Sequence, residues 1–207
     1  MKERKLDLSA IKIAARVIAQ GGIVVYPTDT AYGLAVDANN LQAIEKLFLL
    51  KGRQKQKPIH VIFPSFSELN KTVKLNPVAK RLMQKFFPGP LTLVLPLKSK
   101  STNWELLSSG TGYLGFRNPD DQIVKALVRE CRTPITTTSA NLSGKANTYS
   151  VKQVKRQFKK AKIKPNLYLN GGILKKIKPS TVVRISSDKL EVLREGPITI
   201  KQIQSVI

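Results

Sequence analysis

The apolar positions of this chain follow two repeats, one typical of helices and one typical of buried strands. Between residues 8 and 20, apolar side chains recur at helical spacing, with Ser9 as the expected N-cap and Gly21–Gly22 as the expected end. The next run, Ile23–Tyr26, is short, β-branched and uninterrupted. This predicts a strand buried on both faces that ends at Pro27.

The rest of the chain continues this alternation. Further helices are expected over about 41–50, 77–87, 120–130 and 151–164 and after Thr199, with Pro77 in a first turn. Further strands are expected over about 59–63, 91–97, 113–117, 135–139, 166–170, 181–185 and 190–193. Residues 1–22 are interpreted as leading into the first helix rather than as a signal peptide, and residues 98–112 as an irregular surface loop. Without repeats or linkers, the sequence predicts one α/β domain over residues 1–207, with some hairpin-like strand pairs.

Composition narrows the class of protein. The 42% hydrophobic fraction is sufficient for a core, which argues against disorder. No apolar run reaches the roughly 18 residues that a membrane span needs, so no membrane partner is expected. The single cysteine, Cys131, excludes an internal disulfide and favours a reducing compartment. The expected location is the cytoplasm.

Charge is the strongest global signal. The chain has 36 basic and 13 acidic residues, which give a net charge of +23. Such an excess attracts polyanions, above all nucleic acid, although a solvated basic surface is the alternative interpretation. The most basic segment is the helix predicted over 151–164, where five cations could follow a phosphate backbone: Lys152, Lys155, Arg156, Lys159 and Lys160.

Several familiar catalytic motifs are absent from the sequence. It has neither a GxxxxGK[ST] phosphate loop nor a GxGxxG fingerprint. With one histidine and one cysteine, a zinc site or a Cys–His pair is almost excluded, and His60 is interpreted as structural. No Asp/Glu cluster is available to hold a metal, so any Mg²⁺ is expected to be carried by substrate phosphates.

Hydroxyl groups and cations remain as the candidate chemistry. Thr28, Asp29 and Thr30 follow the first strand at its carboxyl end, where open α/β sheets bind ligands. Lys51, Arg53, Lys55 and Lys57 lie within seven residues of one another and could bind an anion or form a solvated charge run. Arg117, at the end of an apolar strand, favours a carboxylate or phosphate partner. Ser139 and Asn141 could equally be turn formers.

Seven short motifs carry a family resemblance. They are YPTDTAYGL, KGR with its following KP, PGPLTLVLP, GFRNP, TTSANLSG, PSTVV and LREGPI. In this order and spacing they resemble the YrdC/TsaC-type threonylcarbamoyl-AMP synthases, from about residue 10 to about residue 200. The resemblance implies a twisted mixed parallel and antiparallel sheet, flanked by helices, around a basic concave cavity. It also implies synthesis of threonylcarbamoyl-AMP and pyrophosphate from L-threonine, bicarbonate and ATP. Other proteins would then transfer the threonylcarbamoyl group to tRNAs that read ANN codons, giving t6A.

The same resemblance implies roles for individual residues. The catalytic set would be Lys51, Arg53, Ser139 and Asn141. L-Threonine would contact Thr30, Arg117, Thr137 and Ser180, with Arg117 on its carboxylate. ATP would contact Arg53, Lys57, Tyr113, Ser139, Asn147 and Arg194. Some family members carry histidine where this chain has Ile62, two residues after His60. Two alternatives stay open: an RNA-binding module without chemistry, and a divergent paralogue with a different or lost activity.

Overall fold

The computed structural model describes residues 2–52, 57–186 and 189–207. Its strands are β1 (Lys2–Lys5), β2 (Val24–Tyr26), β3 (Gly33–Ala35), β4 (His60–Ile62), β5 (Leu91–Pro96), β6 (Tyr113–Arg117), β7 (Ile135–Ser139), β8 (Leu167–Asn170), β9 (Thr181–Ile185) and β10 (Leu190–Arg194). Its helices are α1 (Leu8–Ala19), α2 (Leu41–Lys51), α3 (Phe66–Thr72), α4 (Pro77–Phe86), α5 (Thr102–Leu107), α6 (Gln122–Cys131), α7 (Val151–Gln157) and α8 (Ile200–Gln204). Within these ranges, no helix has the length and apolar character needed to cross a membrane.

The described strands form a single mixed sheet in the order β1-β8-β2-β3-β7-β4-β6-β5-β9-β10. The sheet contains parallel pairs, such as β4–β6 and β5–β9, and antiparallel pairs, such as β3–β7 and β4–β7. The predicted mixed α/β sheet is thereby confirmed. Because β7 inserts between β3 and β4, residues distant in the sequence become neighbours at the centre of the sheet.

Helices cover both faces of the sheet. In β2, Val24 and Tyr26 pack with the apolar faces of α1 and α6, whereas Val25 belongs to the larger cluster under α2, α4 and α7. Successive strand residues point to opposite faces, so an uninterrupted apolar run is what a strand between two layers requires. The predicted burial of this strand on both faces is confirmed.

Most helix starts follow from local capping. Pro77 occupies the first turn of α4, as predicted. Asn76 caps that helix, and Thr199 forms a capping box with Gln202 at α8. The prediction of Ser9 as the first N-cap is wrong. The Asp7 side chain caps α1 instead, accepting a hydrogen bond of 2.6 Å from the amide of Ala10.

Three other local predictions are corrected. The residues before α1 include the strand β1, whose four side chains are exposed and which pairs with β8. The segment 98–112 contains the short helix α5, capped by Ser101. The basic helix expected over 151–164 ends at Gln157, and the Lys164 ammonium donates to the carbonyls of Phe158 and Lys159 in the turn that follows.

Candidate active site

A cavity of about 310 Å³ lies where the central strands meet. We call it the central cavity. It is lined by Thr28, Thr30, Ala31, Tyr32, Gly33, Pro58, His60, Arg117, Thr137, Thr138, Ser139, Asn147, Pro179, Ser180 and Arg194. These residues come from β3, β4, β6, β7 and β10 and from the segments that precede β3, β4, α7 and β9, so no single element supplies the site.

Strand register explains why polar side chains collect here. Gly33 is paired with Ser139, and His60 with Thr137. Directly opposed residues of neighbouring strands point to the same face of a sheet, and so do residues two apart on one strand. Thr137, Ser139 and His60 therefore share one face, and all three line the cavity.

The turn after β2 holds its own shape through Thr28. The Thr28 hydroxyl donates to the carbonyl oxygen of Ala31 at 2.6 Å and accepts from the amides of Thr30 and Ala31, both at 3.2 Å. This ST-type turn satisfies backbone groups that a buried turn would otherwise leave unpaired. It fixes Thr30 at the cavity wall and Asp29 beside Arg117.

Arg117 and Asp29 form a largely buried ion pair at the cavity. The Arg117 Nη2 atom lies 2.5 Å from Asp29 Oδ2, and the side chains are 9% and 20% exposed. Among the residues that the structure describes, Arg117 Nε and Asp29 Oδ1 are buried without a hydrogen-bond partner. Each charged group thus keeps an unused donor or acceptor. Such a buried, unpaired atom lowers the stability of the folded protein unless a ligand supplies the partner.

Arg194 brings a second guanidinium to the cavity. Its Nε and Nη2 atoms donate to the carbonyl oxygen of Ser180 at 3.0 and 2.8 Å, and the Ser180 hydroxyl lies 2.8 Å from that of Thr92. Partial desolvation of the guanidinium, together with the positive charge of Arg117, holds the pKa of Arg194 below its usual value. Both causes disfavour the charged form of the guanidinium, and a bound anion would offset them.

Lys51 lies behind the cavity wall rather than on it. Its side chain is buried, with 1% of the residue exposed, and the ammonium donates to the backbone carbonyls of Ser139 and Asn141. The Ser139 hydroxyl in turn donates to Asn141 Oδ1 at 2.5 Å, and the Asn141 amide donates to the carbonyl of Lys145. Lys51 and Asn141 therefore hold the backbone that presents Ser139.

The predicted site residues fall into four groups. The four predicted threonine contacts, Thr30, Arg117, Thr137 and Ser180, all line the central cavity. Three predicted ATP contacts, Ser139, Asn147 and Arg194, line it as well. Lys51 and Asn141 are absent from the lining, and Lys57 is exposed beside the lining residue Pro58. Tyr113 lines a separate pocket with Arg184, and Arg53 lies outside the described residues.

Sequence reasoning did not assign site roles to His60 or to Asp29. His60 was interpreted as structural, yet it lines the central cavity. Asp29 is expected near a ligand because it follows the first strand, but its pairing with Arg117 is not predicted, since the two residues are 88 positions apart. A signal for His60 was available, since it stands at the start of a strand whose alternate positions share one face.

The described part of the cavity lining is cationic and polar. It includes two arginines and no carboxylate, with Asp29 reaching Arg117 from beside it. Among residues 2–52, 57–186 and 189–207, no group of three or more His, Cys, Asp or Glu side chains is arranged to hold a metal ion. This arrangement suits a ligand with carboxylate or phosphate groups.

Comparison with known proteins identifies the family of this chain. The sequence model of the Sua5/YciO/YrdC family, described as "Telomere recombination", matches residues 16–196. The chain belongs to this family. The Sua5/YciO/YrdC fold thus accounts for the ten-stranded mixed sheet, and the resemblance stated from the sequence motifs is confirmed.

Curated members of the Sua5/YciO/YrdC family are identical to this chain at about a third of the aligned positions. A putative threonylcarbamoyl-AMP synthase of Methanocaldococcus jannaschii is 35% identical over 202 residues, covering 98% of this chain and 91% of that protein. A threonylcarbamoyl-AMP synthase of Bacillus subtilis is 35% identical over 197 residues, covering 94% of this chain and 55% of that protein. The chain therefore spans only about half of the latter relative.

Solved structures of the Sua5/YciO/YrdC family match the whole sheet. Pyrococcus abyssi Sua5 complexed with L-threonine superposes with a TM-score of 0.87 at 32% identity, covering 100% of this chain and 59% of that protein. Escherichia coli YciO superposes with a TM-score of 0.82 at 28% identity, covering 98% of both chains. The first of these relatives binds threonine, and the second matches this chain end to end.

Proposed function

We propose that this Sua5/YciO/YrdC protein is an L-threonylcarbamoyladenylate synthase, a nucleotidyltransferase. It would convert L-threonine, bicarbonate and ATP into threonylcarbamoyl-AMP and pyrophosphate. One observation carries the proposal: the four residues expected to contact threonine line a single cavity, although they span positions 30 to 180 of the chain. The names of the relatives and the threonine complex of P. abyssi Sua5 support the same reaction.

The ion pair between Arg117 and Asp29 suits an amino acid. A zwitterion carries a carboxylate for Arg117 and an amino group for Asp29, so it offers a partner to both of the buried atoms that lack one among the described residues. A carboxylate on Arg117 would be a charge-assisted and potentially bidentate interaction. Thr30, Thr137 and Ser180 add hydroxyl groups around it, which suits a substrate that itself carries a hydroxyl.

Arg194, Ser139 and Asn147 are proposed to bind the phosphates of ATP. They combine a guanidinium, a hydroxyl and an amide on the wall of one cavity. We assign Lys51 and Asn141 an indirect role, because their contacts hold the backbone of Ser139. Arg53 and Lys57 are proposed from the sequence motif, and Tyr113 stays a predicted ATP contact although it lies in a separate pocket.

The chemistry requires two anions to meet, so shielding of charge is the main task of the site. The amine of threonine forms a bond to the carbon of CO₂, derived from bicarbonate, and loses a proton to give a carbamate. A carbamate oxygen then attacks the α-phosphorus of ATP, and the bond to the β-phosphate oxygen breaks to release pyrophosphate. Arg117 and Arg194 would stabilise the anions by preorganised positive charge, and no protein nucleophile is needed.

Mg²⁺ is proposed to enter with the nucleotide. The described residues offer no cluster of metal ligands, whereas a triphosphate supplies oxygens that Mg²⁺ prefers. The ion would supply additional positive charge at the phosphates. The residues proposed to bind the phosphates, Arg194 and Ser139, would then hold the nucleotide together with its ion.

A tRNA partner is proposed from the charge of the surface next to the cavity. A groove of about 800 Å³ shares Asn147 with the central cavity and is lined by Lys145, Arg156 and Lys176. With a net charge of +23, such a groove would attract an RNA backbone. We further propose that other proteins receive the adenylate and make t6A in tRNAs that read ANN codons, in the cytoplasm.

The salt dependence of tRNA binding tests the groove. Replacing Lys145, Arg156 and Lys176 with glutamine should reduce the slope of log affinity against log salt by roughly 2 to 3, since each lost phosphate contact contributes about 0.9. The matched control replaces Lys80, Lys85 and Lys201, which are exposed elsewhere. Equal reductions of this slope in both triple variants would contradict specific binding of tRNA in the groove. They would indicate non-specific electrostatic attraction.

Pyrophosphate release by the purified protein tests the proposed activity. Release from ATP should require both L-threonine and bicarbonate, and mass spectrometry should detect threonylcarbamoyl-AMP. Release that ignores threonine would contradict the proposal. If no release occurs while RNA binds tightly and in a salt-sensitive manner, the protein is an RNA-binding module, the principal alternative.

A further inference from the structure

His60 lines the central cavity from a strand in the middle of the sheet. Strand β4, which carries it, is flanked by β7 on one side and by β6 on the other. Thr137 of β7 is the register partner of His60, and Arg117 lies at the end of β6. All three residues line the cavity. A ligand that reaches from Thr137 to Arg117 must therefore cross the strand that carries His60.

Gly115 of β6 makes room for the imidazole ring. A Cβ atom added at Gly115 would lie 2.3 Å from Cδ2, 2.9 Å from Nε2 and 3.1 Å from Cγ of His60. The first two distances are too short for non-bonded atoms and the third is tight, so the ring occupies the space that a side chain at position 115 would need. The absence of a side chain at this one position thus lets the ring lie across the face of the sheet.

We infer that His60, held in place by Gly115, is a further contact for the amino-acid substrate. The inference rests on the proposed function, because Arg117 and Thr137 on either side are the proposed threonine contacts. An imidazole can donate and accept hydrogen bonds and can therefore pair with the carboxylate, amino or hydroxyl group of such a substrate. Gly115 acts through His60 and is a positioning residue.

A binding experiment with four proteins tests whether His60 and Gly115 act together in threonine binding. Calorimetry would measure L-threonine and ATP binding for the wild type, His60→Ala, Gly115→Ala and the double variant. Loss of one hydrogen bond to a charged substrate group weakens binding roughly tenfold to hundredfold, and we expect this for His60→Ala. Gly115→Ala should weaken threonine binding similarly, since its methyl group displaces a side-chain ring rather than backbone. ATP affinity should change less than about twofold.

The double variant distinguishes a shared role from general damage. Without the ring, the new methyl group meets no imidazole atoms, so the double variant should bind threonine no worse than His60→Ala. If the fold-losses of threonine affinity in the two single variants instead multiply in the double variant, Gly115 does not act through His60 and the inference fails. Thermal unfolding of each variant shows whether weaker binding follows from a weaker fold.

A second measurement uses the fact that the chain has one histidine. In an untagged sample, the imidazole NMR signals belong to His60 alone, and saturating L-threonine should shift them. Unchanged signals, in a protein that binds threonine by calorimetry, would overturn the inference and leave the proposed function standing. A wild type that binds no threonine would overturn both.

Discussion

The ammonium nitrogen of Lys51 lies 2.9 Å from the backbone carbonyl oxygen of Asn141, and it also donates to the carbonyl of Ser139. A lysine in a run of basic residues thus points into the protein rather than into solvent. Its charge is balanced by carbonyl dipoles of a segment 88 and 90 residues away. The residue links the end of α2 to the strand that presents Ser139.

Replacing Lys51 with methionine should therefore weaken both the fold and the site. Methionine keeps most of the apolar volume but leaves buried carbonyl oxygens without their donor, which costs about 1.5–3 kcal/mol for bonds to a charged group. Urea unfolding should show this loss, and threonine-dependent pyrophosphate release should fall. Lys46→Met is the matched control, because Lys46 is exposed on the same helix. Equal stability of the two variants would show that the Lys51 contacts contribute nothing.

Replacing Arg117 with alanine should abolish threonine binding and leave Asp29 as an uncompensated, largely buried charge. We expect threonine affinity to fall at least about a hundredfold, and the free energy of unfolding to fall by about 3 kcal/mol. Calorimetry and urea unfolding measure the two effects. Lys125→Ala removes an exposed ion pair with Asp120 and should change stability by less than about 1 kcal/mol. Threonine binding that survives in Arg117→Ala would refute the assigned role of this arginine.

Pyrophosphate should stabilise the protein through Arg194. Its guanidinium is partly desolvated and feels the positive charge of Arg117, and both conditions lower its pKa, so a bound anion would offset an existing cost. At a concentration about a hundred times the dissociation constant, binding to the native state adds about 2.7 kcal/mol of stability. The midpoint temperature of thermal unfolding should rise with pyrophosphate but not with sodium chloride of equal ionic strength. The rise should be lost in Arg194→Gln and kept in Arg129→Gln, where an exposed arginine is replaced.

Stability should fall with pH above 10, partly because of Tyr26. Burial raises the pKa of Tyr26 to about 12, from 10.0 in the unfolded chain, so the fold favours the neutral phenol. This contribution is fully present below pH 10 and is lost as the pH rises towards 12. Between pH 8 and pH 11 the loss from this residue amounts to roughly 1.4 kcal/mol. Urea unfolding of Tyr26→Phe should show a correspondingly smaller decrease, and an equal decrease would place the effect elsewhere.

Elements with strong local signals were predicted well. The bounds of β6 and β9 agree with the sequence prediction, because apolar runs there end at clear polar or turn residues. By contrast, β3 has three residues directly after a turn and was not predicted. Helix α5 was not predicted, because the segment around it is polar. Its N-cap, Ser101, accepts a hydrogen bond from the amide of Trp104.

For the site, motif order was more informative than composition. It selected Thr30, Thr137 and Ser180, which line one cavity only because of the order of strands in the sheet. Composition alone cannot provide this, since pairing partners are set by long-range topology. The dependence on long-range topology also explains why the positions of His60 and Lys51 could not be predicted. The face on which His60 lies depends on the register with β7, and the burial of Lys51 depends on carbonyls far along the chain.

The insertion of β7 between β3 and β4 has a consequence for synthesis of the protein on the ribosome. Strands β3 and β4 emerge by residue 62, but the strand that separates them begins only at Ile135. Until then a nascent chain exposes two unpaired strand edges at what becomes the middle of the sheet, and such edges promote aggregation. Chaperones that cover exposed edges should therefore matter most while this stretch of some seventy residues is being made.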